Sequence, residues 1–386
     1  MIDAIGDPTQ GLIPDSIASV RAICVVGARP NFMKIKPVLV ALEAGGATVV
    51  LVHTGQHYDP ALSEVFFTDL GLRPPDHQLG VGSGSHATQT AGVLCAFEPV
   101  LAAEVPDVVV VVGDVNSTMA AALVAAKAGV LVAHVEAGLR SRDWSMPEEI
   151  NRVVTDRVSD LLFAPSPDAV GNLVAEGYRS DQIHLVGNVM VDTLLANLDR
   201  ARRRPTLSQL GVNAGSYGLV TLHRPANVDD PVALADIAAG LAAVSAELPL
   251  ICPTHPRAAR ALAAVQLPPT VRIIEAVGYL DFIALEAGAR LVLTDSGGVQ
   301  EETTVLGVPC LTLRDNTERP ITVTEGTNIV VGRCPDRILA EARRVLATGV
   351  TLRCPQLWDG RAGQRIADVI LAPPVGPRCR PTDRIG

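Results

Sequence analysis

Aromatic residues are scarce in this chain of 386 residues, with Phe, Tyr and Trp together making up 3%. Its cores must then be filled mainly by Ala, Val and Leu, as in parallel sheets covered by helices. No run of about 18 or more uninterrupted apolar residues occurs, so no stretch reads as a membrane-crossing helix. Basic residues are absent before Arg21, while Asp3, Asp7 and Asp15 lie in that leader, unlike a secretory signal. The seven cysteines contain no Cys-x-x-Cys pair, and Cys24, Cys252 and Cys310 fall inside apolar runs, which predicts reduced core thiols in a cytoplasmic protein. Positive charge is in deficit: the net charge of −9 argues against a general binder of nucleic acid or of a membrane surface. Any anionic ligand must meet a local basic patch.

What is present is a long, 48% hydrophobic chain, enough for two domains. Its most informative stretch is Val108 to Asn151. The β-branched run Val108–Val112 ends at Gly113-Asp114, and Val130–Val135 ends at Glu136, each reading as a strand buried on both faces of a parallel sheet. A loop then delivers Glu148-Glu149 to the start of a helical pattern. Ligands of open α/β sheets bind outside the carboxyl ends of strands, so Asp114, Glu136 and Glu148 point to one site. Asp114 alone could be a helix N-cap. Three converging carboxylates instead suit proton transfer, because neighbours push one another's proton affinities apart.

Around this stretch the alternation of strand and helix is regular. Ile23–Val26 leads through Gly27-Ala-Arg-Pro-Asn31 into a helix from Phe32 to Ala44, and the turn offers an anion site with Arg29 and Lys34. Two of the chain's three lysines, Lys34 and Lys36, follow that turn. Further strands are predicted at Thr48–His53, Leu161–Ala164 and Ile183–Val186, making a doubly wound unit of about six. A helix from Asn188 to Arg204 with a solvated basic end precedes the hinge at Pro205. The second half repeats the pattern with strands near Tyr217, Leu250, Val271, Leu291 and Cys310. There Asp295-Ser296-Gly297-Gly298 opens a helix bearing Glu301 and Glu302. The small residues permit close approach of a diphosphate, and a carboxylate one turn in suits the two hydroxyls of a ribose. The remainder to about Leu371 reads as helical, and the Pro- and Arg-rich tail from Ala372 as disordered. The expected organisation is an N-terminal Rossmann-like domain over residues 21–195, a second over 205–365, and a helix end with tail over 366–386.

In order and spacing, Gly27-Ala-Arg-Pro-Asn31 with Lys34, Gly55-Gln-His57, Gly113-Asp114, His134-Val-Glu-Ala-Gly-Leu-Arg140, Pro147-Glu-Glu-Ile-Asn-Arg152, Gly187-Asn188, His223-Arg224, Asp295–Glu302 and Thr317-Glu-Arg-Pro320 resemble the UDP-N-acetylglucosamine 2-epimerase family, non-hydrolysing type. The resemblance implies a GT-B fold, two Rossmann-like α/β domains facing across a cleft. It also implies interconversion of UDP-GlcNAc and UDP-ManNAc through elimination of UDP to 2-acetamidoglucal and re-addition, with neither metal nor cofactor. By it Asp114, Glu136, Glu148 and His223 form the catalytic set. Arg29, Lys34, Ser296, Gly297, Gly298, Glu302 and Arg319 would bind the UDP-sugar. Gln56, His57 and His255 would belong to an activator site, and the protein would be a cytoplasmic homodimer. Asn31, Val115 and Pro225-Ala226-Asn227 depart from the family's common residues, as do Tyr58 and Leu62 beside the activator motif. The same framework accommodates a hydrolysing epimerase, a 2-epimerase of a 3-acetamido uronate analogue, or a GT-B glycosyltransferase. A sugar-nucleotide sensor would not need the three acids.

Overall fold

The computed structural model describes residues 19–55, 70–254, 256–351 and 353–372, with residues 29, 30, 256 and 257 described by backbone alone. Two parallel sheets carry the chain. In the first, β1 (Arg21–Val26), β2 (Thr48–His53), β3 (His77–Gln78), β4 (Val108–Val112), β5 (Leu131–Val135), β6 (Leu161–Ala164) and β7 (Ile183–Leu185) lie in the order β3-β2-β1-β4-β5-β6-β7. The second contains β8 (Gly218–Thr221), β9 (Leu250–Thr254), β10 (Val271–Glu275), β11 (Leu291–Thr294), β12 (Cys310–Thr312) and β13 (Asn328–Val330), ordered β10-β9-β8-β11-β12-β13.

Each strand order reverses once, between β1 and β4 and between β8 and β11. Loops leaving the carboxyl ends of such a pair part in opposite directions and open a crevice, which is where ligands bind. The segments beginning at Gly27, Gly113, His223 and Asp295 all leave from these four strands.

The central strands explain the aromatic-poor composition. All five residues of β4 are buried, because helices cover both faces of the sheet. Val108, Val110 and Val112 join one core with Ala22, Cys24 and Val26 of β1, while Val109 and Val111 join the opposite core with Ile23 and Val25. Alternation sends successive side chains to opposite faces, so an unbroken valine run is what a strand buried on both sides requires.

Several expected boundaries shift. β3 adds a seventh, two-residue strand to the first sheet, and β13 extends the second; both are too short to register as apolar runs. The helix after β1 spans Arg29–Ala44, starting earlier than Phe32 because Pro30 sits at its first turn, where a missing N–H costs nothing. The C-terminal part is two helices, Pro335–Thr348 and Ala362–Leu371, separated by a non-helical stretch rather than continuous. Cys95, Cys334 and Cys354 are exposed, so only Cys24, Cys252 and Cys310 are core thiols among the described cysteines. Arg204 is not simply solvated; it donates to Asp281 across the linker at 2.7 Å. The predicted disorder of the tail concerns residues 373–386, outside those described.

The last helix does not stay with the second sheet. Ala362, Ile366, Ala367 and Ile370 enter the core of the first. Asp192 accepts the backbone N–H groups of Ala362 at 3.1 Å and Gly363 at 2.7 Å. Gly363 permits the contact, since a Cβ there would stand 2.6 Å from the Pro37 carbonyl. The helix Val189–Arg202 packs on Arg29–Ala44 from one sheet and on Tyr279–Gly288 and Gly297–Leu306 from the other, tying the two halves along one side.

Candidate active site

Asp114 leaves β4 after Gly113 and meets Arg152 of the helix Pro147–Val158 in a salt bridge. Arg152 is buried, and its guanidinium also donates to Glu149 from Nε at 2.9 Å and Nη2 at 2.7 Å. Glu149 in turn accepts the N–H groups of Ser141 at 3.0 Å and Arg142 at 2.8 Å, holding the preceding loop. Of the adjacent pair, Glu149 is thus the structural acid, while Glu148 lines the cleft half-buried. Burial raises the proton affinity of Asp114, but Arg152, Lys34 and Arg319 outweigh it and hold the carboxyl below its ordinary value.

Glu136, at the end of β5, is buried and pairs with Lys34. Its backbone takes φ = 71°, a conformation in which a non-glycine residue is strained by about 1–3 kcal/mol. Such strain persists only where surroundings enforce it. Behind the two acids, the buried His134 donates from Nε2 to the Gly113 carbonyl at 2.8 Å, and its Nδ1 lies 2.6 Å from Asp156. Asp156 also accepts the Gly138 N–H at 3.1 Å and Arg140 at 2.7 Å. Burial pushes Asp156 up, and His134 and Arg140 bring it below its usual range.

From the second sheet, Asp295 is buried and gathers the loop after β8: it accepts His223 N–H at 3.1 Å, Arg224 N–H at 3.0 Å, and His223 Nδ1 at 2.8 Å. The His223 ring is thereby oriented while staying 55% exposed at the cleft wall. Beyond β12, Glu318 is surrounded by Arg314 at 2.8 Å, Arg224 at 3.0 Å and Arg319 at 3.0 Å. Burial opposes its charge, but the three arginines keep it well below the usual carboxylate range. Arg319 also donates to Glu301 at 2.6 Å. The helix Gly297–Leu306 begins against this cluster with no side-chain cap on its first turn. A Cβ on Gly297 would lie 2.7 Å from Arg319 Nη1 and 2.9 Å from Glu318 Oε1, so any larger residue would have to displace this ion pair.

The two walls enclose a cleft of about 930 Å³ lined by Lys34, Asp114, Glu148, His223, Ser296, Gly297, Gly298, Glu302 and Arg319, among others. That is the size of a small-molecule site. Across it, Arg319 acts on Asp114, and Glu136 and Lys34 act on Glu301. Glu301 is pushed up to about 7, by burial first, with Arg319 and Lys34 opposing and Glu136 adding to the rise. Glu302 is likewise pushed up to about 7 by burial, with the Tyr279 hydroxyl, 3.1 Å away, opposing.

One wall therefore presents an ionised carboxylate beside fixed cations, and the other an uncapped helix N-terminus over an arginine cluster. Together they can take up a proton and hold a diphosphate. Proton affinities are separated across the two walls, with Asp114 at the low end and Glu301 and Glu302 at the high end. Arg152, Glu149, Asp295, Glu301 and Glu318 were not anticipated in these roles. The signals were present in Pro-Glu-Glu-Ile-Asn-Arg, where Glu149 and Arg152 share a helix face, and in a glutamate flanked by arginines. The Arg29 side chain, Gln56, His57 and His255 lie outside the described residues.

Residues 41–371 match the sequence model of the UDP-N-acetylglucosamine 2-epimerase family. The chain belongs to that family. It is 43% identical over 357 residues to the UDP-N-acetylglucosamine 2-epimerase of Methanocaldococcus jannaschii, with 90% of this chain and 97% of that protein covered. It is 42% identical over 355 residues to the UDP-2,3-diacetamido-2,3-dideoxy-D-glucuronate 2-epimerase of Pseudomonas aeruginosa, covering 91% and 99%. Among solved structures, the M. jannaschii UDP-GlcNAc 2-epimerase in complex with UDP-GlcNAc and UDP superposes with a TM-score of 0.84 at 42% identity, covering 91% of this chain and 99% of that one. The Neisseria meningitidis UDP-GlcNAc 2-epimerase bound to UDP-GlcNAc gives 0.83 at 28% identity, covering 91% and 100%. These 2-epimerases share the two-sheet GT-B architecture found here.

Proposed function

We propose that this chain is a non-hydrolysing 2-epimerase of UDP-GlcNAc and UDP-ManNAc. The observation that carries the reading is the pairing, in one cleft, of an ionised Asp114 flanked by Lys34 and Arg319 with the uncapped N-terminus of Gly297–Leu306. The C2–H of the sugar is not acidic, because no carbonyl is attached to that carbon. Its loss must accompany departure of the leaving group.

Asp114 takes the C2 proton as the C1–O bond breaks, leaving 2-acetamidoglucal and UDP. The helix N-terminus, Ser296, His223 and Arg29 receive the growing diphosphate charge, Lys34 and Arg319 balance the reacting sugar, and Glu302 accepts the ribose hydroxyls. A proton delivered to the opposite face of C2 by Glu136 or Glu148, charged from solvent as Asp114 releases its own, with attack of the UDP oxygen on C1 of the glycal, completes the exchange. All heavy atoms of the substrate are retained in product, while the C2 hydrogen exchanges with solvent. The same reading carries a cytoplasmic homodimer, with an activator site at Gln56, His57 and His255; among the described residues no helix is long and apolar enough to cross a membrane.

Incubation with UDP-GlcNAc in D₂O, followed by proton NMR, tests the reading: UDP-ManNAc deuterated at C2 is expected. Deuterated free ManNAc with UDP would place the chain among hydrolysing epimerases, and retention of the C2 proton without UDP release would overturn the substrate. A second substrate is favoured by one specific observation, the 42% identity to the diacetamido-glucuronate 2-epimerase, nearly equal to that of the UDP-GlcNAc enzyme. Arg224, Arg314 and Arg333 at the cleft wall are cations suited to a uronate. Turnover of that analogue in the same assay, with UDP-GlcNAc inert, would select it.

A further inference from the structure

Behind Glu302 lies an acid that the mechanism above does not use. Glu286, on the helix Tyr279–Gly288, is completely buried, and neither of its oxygens receives an N–H or O–H from the surrounding donors. The carboxyl of Glu302 lies within hydrogen-bond contact of it. Two buried carboxyls in contact cannot both be ionised, so a proton lies between them. Among the described residues no cation offsets the charge on Glu286. The cations on elements packed around it face elsewhere: Arg200 donates to Asn197 at 2.9 Å, Arg204 to Asp281 at 2.7 Å, and Arg319 to Glu301 and Glu318. The remaining titratable neighbours are Tyr279, whose hydroxyl stays protonated next to both acids, Glu301, which acts on Glu302, and Cys310, a buried thiol pushed up to about 12.

We propose that Glu286 is a positioning residue of the ribose grip: its protonated carboxyl donates to Glu302 and, with the Tyr279 hydroxyl, locks Glu302 in the orientation that accepts the two ribose hydroxyls of a uridine diphosphate. This rests on the reading of Glu302 as the ribose ligand. The arrangement divides the work of two acids. Glu286 supplies only a donor, so Glu302 keeps lone pairs for the ligand. Burial, then the charge of Glu302, pushes Glu286 well above the usual carboxylate range, in line with its role as donor. When alkali removes the shared proton, the two carboxylates repel, Glu302 turns away, and affinity for UDP falls.

The test is calorimetric titration of UDP into wild type, Glu286→Gln, Glu286→Leu and Glu302→Ala between about pH 6 and pH 9, with kcat and KM for the UDP-sugar. Wild type should lose affinity on the alkaline side. Glu286→Gln keeps a donor but has no proton to lose, so it should match wild type near neutrality and hold that affinity into alkali. Glu286→Leu should weaken UDP and raise KM about tenfold, the value of one lost hydrogen bond, with kcat within about threefold. The proposal is overturned if Glu286→Leu binds as wild type does with the same pH profile, or if Glu286→Gln is as weak as Glu286→Leu. Should the leucine variant fail to fold, an unchanged alkaline loss in Glu286→Gln overturns it by itself. Glu302→Ala separates the two readings. Full UDP affinity in that variant refutes the ribose assignment, while lost affinity there with none lost in Glu286→Leu refutes only the role of Glu286.

Discussion

Arg152 is buried and donates to Asp114, Glu149 and the Ser141 hydroxyl, and the state of Asp114 depends on it. With the arginine in place, Asp114 stays ionised through neutral pH, as the proposed base must. Arg152→Met would leave Glu149 buried without its partner, and breaking a buried pair from one side costs about 3–5 kcal/mol. A fall of that size in the urea-unfolding free energy is expected, together with an acid limb of kcat that moves to higher pH as Asp114 loses its neighbour. Asp114→Asn should behave oppositely, lowering kcat by about 10² to 10⁴ while UDP binding and the urea midpoint stay near wild type. Equal turnover in that variant would remove Asp114 from the mechanism. At this scale the sequence is only half legible. Asp114 and Glu136 stand out because each ends a strand, whereas Glu301 and Glu302 are neighbours with nothing local to distinguish them. One pairs with Arg319 and the other meets Tyr279 and Glu286, contacts made through elements far apart in the chain.

Among elements, the helix Ala362–Leu371 has the largest effect on organisation. It follows the second sheet in sequence but belongs to the core of the first, seated where Gly363 crosses Pro37 and pinned by Asp192. Gly363→Val would push this crossing apart, since the added carbon meets backbone rather than a movable side-chain end. Releasing Ile366 and Ile370 from burial forfeits about 1.5–3 kcal/mol each, so a loss of about 3–6 kcal/mol is expected in urea unfolding, with UDP affinity of the remaining folded protein little changed. The helix Gly297–Leu306 makes the complementary case. Gly297→Ala would displace the buried Arg319 and Glu318, and KM for the UDP-sugar should rise about tenfold or more. Strands and most helices could be read from apolar runs, caps and prolines. β3 and β13 could not, because two or three residues added to an existing edge have no pattern of their own.

For the whole molecule, the pH response follows from two opposing sets of buried acids. Glu286, Glu301 and Glu302 are raised, so the folded protein binds protons that the unfolded chain has released. Their stabilising contribution is complete below the unfolded glutamate value of about 4.3 and is lost as pH rises through about 7 for Glu301 and Glu302. Asp114, Asp156, Asp295 and Glu318 are lowered, and their contribution is lost only as pH falls below the ordinary carboxylate range. Stability should therefore be greatest in mildly acidic solution and decline toward pH 8, as urea midpoints would record, with Glu301→Gln flattening the decline. A midpoint that climbs from pH 5 to pH 8 would contradict this balance.

The sequence by itself determined the two parallel sheets and the strand ends from which the site projects, because apolar runs and helix periodicity are local and repeat within a few residues. It also carried the family, since the motifs lie in order along one chain. Only the tertiary structure decided which carboxylates keep a proton. That depends on burial and on the distance to cations in another domain, and neither quantity exists until the two sheets face each other.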